Sequence, residues 1–307
     1  MKSTTGELSS IRQAFGDTIF QLGSKNPNLY VVSIGLRSSL CLDKFANKFK
    51  SRFIEAGIAE NNAAGIAAGL AKAGKKVILA SFACFSPAIN WAVIKQSICY
   101  QKLPVIIIGS HTGLMSTDLG ATHQMLEDVA LMQTMPGMQV YAPLDATETK
   151  LITESLVNQP HPAYLRLVRP QTELSYPPKL HFTAGHSQVL RRGTQATIIG
   201  YGPILNQALS LDKKYSIDVI NCSSLKPFDS DTIIASVKKT KKLICLEDHQ
   251  ANGGFGQTVA AFLASHSLTF QFIHLAINDS FGTSAKDYQQ LYSHYHLDQS
   301  ALIKAIK

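Results

Sequence analysis

The feature that most constrains this chain is an alternation between short apolar runs and segments with helical spacing, which continues along its whole length. Runs such as 30–34, 77–82 and 105–108 are almost entirely apolar instead of alternating with polar residues. An apolar run of this kind is typical of a strand that is buried on both faces. Strands of parallel sheets are buried in this way, because helices cover both sides of the sheet. The chain is therefore predicted to be an α/β protein with mostly parallel sheets.

The alternation fails once, between Pro170 and Arg192, where Pro177-Pro178 and several polar residues interrupt it. A second series of strand-like and helix-like segments follows, and 307 residues are enough for two domains of ordinary size. We predict two consecutive domains, each a mostly parallel sheet flanked by helices. Their expected bounds are 1–175 and 191–307, with a linker over 176–190.

Composition narrows the class of protein. Hydrophobic residues make up 45% of the chain and charged residues 16%, and no apolar run is long enough to span a bilayer. The first ten residues lack an apolar signal core, and the five cysteines form no CxxC pair, so free thiols and a cytoplasmic location are expected. The net charge of +8 could attract nucleic acid, but no nucleic-acid motif accompanies it. We expect neither nucleic acid nor membrane as a partner.

Residues 52–71 read RFIEAGIAENNAAGIAAGLA, in which Glu60 precedes a long run of small apolar residues. Such a run predicts a helix packed tightly against other backbone, with Gly65 and Gly69 on one face. A carboxylate at the mouth of a buried helix is a candidate for a perturbed pKa. The alternative is a first-turn carboxylate that complements the helix dipole.

Two further stretches follow predicted strands. His111 and His123 flank a Gly/Ser/Thr-rich loop after the strand 105–109, where α/β sheets place ligands. Their spacing lacks a metal-ligand pattern, so substrate contact and proton transfer are favoured and no metal ligand is predicted. Phe82 and Phe85 end another strand and could stack on a planar ring, although ordinary core packing explains such residues equally well.

Taken together, these stretches resemble the pyrimidine-binding domain of transketolases. The order matches the family: Arg12 in SIRQAF, the GIxExN glutamate, SFxxF, a histidine followed by ATHQxxED, and then PLD. The second half is similar to the transketolase C-terminal domain, in the segments around 220–229, 246–249 and 253–256. The resemblance covers nearly the whole chain, and the combined set of motifs is specific where no single one is.

The resemblance implies that the chain helps to bind thiamine diphosphate. Glu60 would hydrogen-bond the N1′ atom of the cofactor's pyrimidine ring, and Phe85 and Phe82, together with Ile58 of the glutamate motif, would contact that ring. The implied reaction moves a two-carbon ketol unit from a ketose to an aldehyde, with Glu60 and His123 as the catalytic residues. Desolvation in an apolar site would raise the pKa of the Glu60 carboxyl. A carboxyl with a raised pKa can share its proton with a ring nitrogen.

Substrate contacts are implied as well. His123 matches the histidine that contacts substrate oxygens, and His111 matches one near the phosphate end. Arg12, Ser39 and Arg169 match phosphate-binding positions, where arginine can form two hydrogen bonds at once. Since strand alternation puts Arg166 and Arg169 on opposite faces, only one of them is expected to point into the site, and which one is left open.

Two positions depart from the family pattern. Leu119 stands where transketolases usually carry the Asp that binds a sugar hydroxyl, and Ile34-Gly35-Leu36 replaces an Asp-containing triplet. A leucine cannot accept that hydrogen bond. Asp118 lies next to the lost position and is included among the candidate substrate residues. The donor is expected to be a phosphorylated ketose. The two changes predict either that this sugar is modified or that the aldehyde acceptor differs from the usual one.

The chain also lacks the GDG motif with which the family holds Mg²⁺ and the diphosphate. It therefore resembles the C-terminal subunit of a split-gene transketolase. A separate N-terminal subunit with that motif is the expected partner, in a heterotetramer with self-association of this chain. Three alternatives remain: a β subunit of a 2-oxo acid dehydrogenase, a deoxyxylulose-phosphate-synthase-like enzyme, and a non-catalytic scaffold subunit.

Overall fold

A computed structural model describes residues 7–175 and 181–307, and these form two mostly parallel sheets covered by helices, and one two-stranded ribbon. The first five residues of the predicted linker, 176–180, lie outside the described residues, as do residues 1–6 at the N-terminus. Within the described ranges, no helix combines the length and the hydrophobicity needed to cross a membrane. The predicted α/β class is confirmed.

Fourteen strands are described. They are β1 (Leu8–Ser10), β2 (Leu29–Ser33), β3 (Phe53–Glu55), β4 (Lys76–Phe82), β5 (Val105–Ser110), β6 (Gln139–Tyr141), β7 (Ala163–Leu167), β8 (Gln171–Glu173), β9 (Gln188–Arg191), β10 (Ala196–Gly200), β11 (Ile217–Asn221), β12 (Ser224–Lys226), β13 (Lys242–Gln250) and β14 (Gln271–Ile277).

The α-helices flank these strands. They are α1 (Ile11–Lys25), α2 (Asp43–Lys48), α3 (Glu60–Lys72), α4 (Trp91–Val93), α5 (Asp128–Gln133), α6 (Ala146–Val157), α7 (Asn206–Leu209), α8 (Ser230–Thr240), α9 (Phe255–Ser265), α10 (Tyr288–His294) and α11 (Gln299–Ile306). A π-helical stretch (Ile94–Cys99) continues α4, and single 3-10 turns occupy Lys50–Arg52 and Pro203–Leu205.

The first sheet has seven strands in the order β12-β6-β7-β5-β4-β2-β3. All neighbours except β12 and β6 are parallel. Its central strands β4 and β5 are buried on both faces, which explains their uninterrupted apolar sequences. Because these strands run in the same direction, the loops that follow Phe82 and Ser110 leave the sheet at the same edge.

The outermost strand of this sheet comes from the second half of the chain. Ser224–Lys226 pairs antiparallel with β6, and Ser224 lies opposite Tyr141. The sequence pattern did not predict this strand, because three residues are too few to show a period. The two halves of the chain are therefore joined by backbone hydrogen bonds within the first sheet.

The second sheet has the order β14-β13-β10-β11-β9, with β9 antiparallel and the other strands parallel. The second series of strand-like segments expected from the sequence is therefore present, as β10, β11, β13 and β14. β9 begins at Gln188, so the end of the predicted linker belongs to this sheet. A separate two-stranded ribbon, β1 with β8, joins the start of the first half to its end.

Local sequence signals explain the helix ends. The Ser10 hydroxyl accepts the N–H of Gln13 at the start of α1, and Asp145 accepts the N–H of Glu148 at 2.9 Å at the start of α6, as the capping pattern predicts. The Glu148 carboxylate binds the Leu144 N–H, where a full capping box would bind the Asp145 N–H. Burial raises the pKa of Glu148 to about 7.

The small-residue helix α3 packs by its alanines and not by its glycines. Ala63, Ala64 and Ala67 are fully buried, whereas Gly65 and Gly69 are exposed, with no described atom of the chain near the position a Cβ would occupy. The prediction that the glycine face packs against other backbone is wrong for this chain alone. The error has a simple cause: alanine buries a methyl group on the sheet, and glycine has none to bury.

Candidate active site

The ends of β4 and β5 bring together the aromatic residues and histidines singled out in the sequence. The rings of Phe82 and Phe85 are stacked, with 6.1 Å between centroids and 12° between planes. His111 lies against Phe82 at 3.7 Å, and His123 meets Phe85 edge-on at 5.5 Å. One face of the site therefore combines flat apolar surface with two imidazoles.

His111 is held in its neutral, singly protonated form at neutral pH. Its side chain is buried, its φ is 60°, and its Nδ1 lies 2.9 Å from the Ser110 hydroxyl. Burial, followed by the positive charges of Arg12 and Arg169, lowers the pKa of His111 to about 3. A neutral imidazole can donate one hydrogen bond and accept another, but it does not act as a cation here.

Arg12, Ser39 and Arg169 lie together, as the resemblance implies. The Arg12 guanidinium donates to the backbone carbonyls of Ser39 and Arg169, the latter at 3.0 Å. Burial lowers the pKa of Arg12. Both arginines line a cavity of about 580 Å³ with Thr117 and Cys41, so two cations face one space large enough for a small ligand.

Asp118 pairs with Arg169, which lines this cavity, and both side chains are partly exposed. Arg166, the alternative to Arg169, points elsewhere: it is 3% exposed and is bound between Asp128 and Asp248. The structure therefore places Arg169, and not Arg166, at the candidate site.

Glu60 is the first residue of α3 and is half-buried. Its backbone carbonyl accepts a hydrogen bond from the Asn90 amide at 3.0 Å, which fixes the helix start. Over the described ranges, the Glu60 carboxylate has no hydrogen-bond or ion-pair partner. Sequence reasoning missed Asn90, a fully buried amide, because nothing in its local pattern marks it as a partner of Glu60.

The remaining candidates lie at the edge of the site. Ile58 is 90% exposed and lies beside Gly35, so its predicted role with the cofactor stays a prediction. The Gly35 N–H donates to the Glu55 carboxylate at 2.7 Å. Leu119 is half-buried beside Gly120, whose φ is 65°.

Three potential metal ligands, Cys245, Glu247 and His274, lie close together deep in the second sheet. The Glu247 carboxylate is already saturated by His274 at 2.6 Å, the Tyr201 hydroxyl at 2.7 Å and two backbone N–H groups of α9. Burial opposes its ionisation, but the hydrogen bond from His274 and the other donors hold the pKa of Glu247 at about 2. Because its hydrogen bonds are already satisfied within the protein, the Glu247 carboxylate has a structural role.

The residues present fit a planar heterocycle. An aromatic pair supplies flat surface, and the Glu60 carboxylate supplies one hydrogen-bonding group at a helix start. Thiamine diphosphate, the cofactor implied by the sequence motifs, has such a ring in its aminopyrimidine.

Comparisons with known proteins cover both halves of the chain. A family model described as "Transketolase, pyrimidine binding domain" matches residues 8–173, and one described as "Transketolase, C-terminal domain" matches residues 185–302.

Similar proteins match along their full lengths. The "Putative transketolase C-terminal section" of Methanocaldococcus jannaschii is 35% identical, over 100% of this chain and 98% of that protein. One of the subunits of the apulose-4-phosphate transketolase of Phocaeicola vulgatus is 33% identical over 97% and 96%. A solved structure described as "Split gene transketolase, inactive beta4 tetramer" superimposes with a TM-score of 0.87, at 33% identity, over 97% and 96% of the two chains. This chain belongs to the transketolase family, and it combines the pyrimidine-binding and C-terminal domains of that family.

Proposed function

We propose that this chain works with a second subunit as a thiamine-diphosphate-dependent transketolase that acts on sugars with an anionic end group. The observation that carries the proposal is the Glu60 carboxylate at the start of α3, in the same sheet-edge region as the stacked rings of Phe82 and Phe85. A carboxyl so placed can share a proton with a ring nitrogen of a bound pyrimidine. His111 and His123 then lie on the same side as the rings.

The bound cofactor would supply the electron sink that lets a carbon–carbon bond of the ketose break. The chain's own residues have simpler tasks. Glu60 holds a proton at the pyrimidine, Phe82 and Phe85 orient the ring, and His123 exchanges protons with substrate hydroxyls. His111, which stays neutral, orients substrate by donating or accepting a hydrogen bond.

The two arginines supply the substrate's anchor. Arg12 and Arg169 line the same cavity, and Asp118 balances only one of them. A phosphate group entering the cavity could displace Asp118 from Arg169 and form charge-assisted hydrogen bonds to both guanidinium groups. Ser39 lies at the wall of this anion site through its carbonyl contact with Arg12.

We infer that the substrate pair differs from the ordinary pentose phosphates, because the contact to the sugar's C2 hydroxyl is changed. Leu119 presents an apolar wall where an aspartate would accept a hydrogen bond, and Gly35 removes a second acidic position. The full-length relative named for apulose 4-phosphate supports a specialised sugar for this architecture. We infer a modified sugar phosphate or a different aldehyde acceptor.

A partner subunit with a GDG motif would bind Mg²⁺ and the diphosphate, and two chains of each kind would form a cytoplasmic heterotetramer. The exposed face of α3, with Gly65, Gly69 and the neighbouring Ile58, supports a close protein contact there. The solved relative is described as an inactive beta4 tetramer, which supports self-association and a need for the other subunit.

The test begins with native mass spectrometry of the chain purified from its own cells, to recover the partner with its cofactor. Glu60→Gln in the recovered complex should lower kcat by about 100-fold or more, because proton transfer by a positioned side chain typically accelerates a reaction by at least that factor. Glu154→Gln, in the middle of α6, is the matched control and should leave kcat unchanged. A fully active Glu60→Gln complex would favour a non-catalytic scaffold role.

Substrate assays separate the remaining alternatives. We expect ketol transfer from a phosphorylated ketose and no requirement for pyruvate. Pyruvate-dependent turnover would instead indicate a 2-oxo acid dehydrogenase or a deoxyxylulose-phosphate-synthase-like enzyme. Full activity with xylulose 5-phosphate and ribose 5-phosphate would contradict the altered substrate.

A further inference from the structure

An irregular segment of the second half, residues 280–285, lies against the loop that carries the substrate residues. The segment reads SFGTSA and connects β14 to α10 without regular structure. The substrate loop, residues 111–127, leaves β5 and ends at α5. The contacts between the two are specific hydrogen bonds and close approaches.

The 280–285 segment binds the substrate loop at two points. The N–H of Ala285 donates to the carbonyl of Thr117 at 3.0 Å. The Gln124 amide donates to the carbonyls of Thr283 at 3.0 Å and Ser116 at 3.3 Å. These two points flank residues 118–123, which include Asp118, Leu119 and His123.

Gly282 makes this contact possible. A Cβ atom built on Gly282 would lie 2.0 Å from the Gln124 Oε1 atom. Gln124 is only 5% exposed and its amide nitrogen is engaged, so its side chain cannot move aside without losing hydrogen bonds. Gly282 has no positive φ, and its need for glycine is therefore one of space and not of backbone conformation.

A further anchor holds the base of the same loop. The Asp248 carboxylate accepts the N–H of Leu114 at 3.3 Å, and the N–H of Gln250 donates to the carbonyl of Leu126 at 2.8 Å. Both Asp248 and Gln250 belong to β13 of the second sheet. The second half of the chain thus contacts the loop near its base and on both sides of 118–123.

We propose that Gly282 and Gln124 are a pair of positioning residues, through which the second domain sets the placement of Leu119 and His123 over the bound sugar. The proposal rests on the proposed function for its catalytic meaning. Thr117 links the two regions directly, because it lines the cavity of Arg12 and Arg169 and is bound by Ala285. A shift of the 280–285 segment would therefore change sugar binding through residues 117–124 of the substrate loop.

The experiment compares Gly282→Ala with Phe281→Ala in the full chain and in its complex with the partner. Phe281 is the control, since its side chain is 83% exposed and its carbonyl, bound by Tyr295, is kept. We expect Gly282→Ala to speed hydrogen–deuterium exchange of 117–124 by about tenfold while β4 and β5 keep their protection, because only a local contact is lost. In the complex, KM for the ketose phosphate should rise by about tenfold, with the apparent cofactor affinity unchanged.

The double variant Gly282→Ala/Gln124→Ala makes the test specific. If the two residues act through one contact, Gly282→Ala adds nothing to exchange or to KM in the Gln124→Ala background. Unchanged exchange in Gly282→Ala, additive effects in the double variant, or exchange raised equally in β4 and β5 would each overturn the proposal. An inactive wild-type complex would refute the proposed function alone, because the exchange measurement needs no activity.

Discussion

Two charged clusters in this molecule have opposite compositions and opposite surroundings. The open cluster, Arg12, Arg169 and Asp118, has two guanidinium groups for one carboxylate, and its two arginines line a cavity. The sealed cluster, Arg166, Asp128 and Asp248, has one guanidinium for two carboxylates and is almost completely buried.

The difference lies in how far each charge is compensated. In the sealed cluster the Tyr164 hydroxyl and the Leu114 N–H donate to the two carboxylates and complete their hydrogen bonding. Burial alone would lower the pKa of Arg166, but Asp128 and Asp248 raise it well above its usual value. In the open cluster the one carboxylate, Asp118, pairs with Arg169 and leaves the charge of Arg12 uncompensated within the cluster. The sealed cluster therefore stabilises the junction of the two halves, and the open one is available to an anion.

Removing the central cation of the sealed cluster should have the largest effect. Arg166→Met leaves two buried carboxylates without their counter-ion, and the free energy of unfolding should fall by about 3–5 kcal/mol in urea titrations. Arg37→Met is the control, because the Arg37–Asp43 pair is exposed and such pairs contribute about 1 kcal/mol or less.

The same experiment has a rescue arm. Neutralising both carboxylates in Arg166→Met/Asp128→Asn/Asp248→Asn should recover part of the lost stability, since all three charges of the cluster are then gone. A loss below that of Arg37→Met would show that the sealed cluster does not stabilise the junction.

The open cluster should respond in binding and not in stability. Arg169→Met should raise KM for a phosphorylated ketose by about 10- to 100-fold, as expected for the loss of charge-assisted hydrogen bonds. The unfolding free energy should stay near the wild-type value, because Arg169 and Asp118 are both partly exposed. The matched measurement uses the unphosphorylated ketose, for which KM should not change. An equal rise in KM for both sugars would show that Arg169 does not bind the phosphate group.

The last effect is negligible at neutral pH and grows only as the pH falls. His111 binds a proton near pH 6.5 in the unfolded chain but only near pH 3 in the folded one, so acid favours unfolding between those values. The stability of the wild-type chain should therefore fall with decreasing pH more steeply than that of His111→Asn, by at most about 1.4 kcal/mol per pH unit. Asparagine tolerates the positive φ at this position.

Urea midpoints measured from pH 7 to pH 4 would test this. His161→Asn, at an exposed position, is the control and should follow the wild-type curve. Parallel curves for wild type and His111→Asn would contradict the assignment of a neutral, buried His111.

Periodicity was enough to predict the long strands and the class of the fold. The apolar residues of β4 and β5 indicate by themselves that these strands are buried. The helix start at Asp145 is likewise indicated locally, by Glu148 three residues later. The three-residue strand β12 carries no such signal, because its partner β6 lies about eighty residues earlier.

Pairing between distant residues also limited the prediction of the site. The motifs identified Arg12, Glu60, His111 and His123, and the structure brings the arginines and histidines to one edge of the first sheet. Whether Arg166 or Arg169 enters the site depended on Asp248, a residue of the other half. Composition could not reveal which face of α3 is buried, since alanine and glycine are both small and differ only in the methyl group available for packing.

The edge position of β12 has a consequence for synthesis. While the ribosome makes the chain, the edge strand β6 exists before Ser224–Lys226 has been translated. At typical elongation rates that edge stays open for roughly ten seconds, and an unpaired edge can recruit other strands. A nascent chain stalled before residue 224 should therefore be more prone to aggregate than one stalled after 226, whatever happens to catalysis.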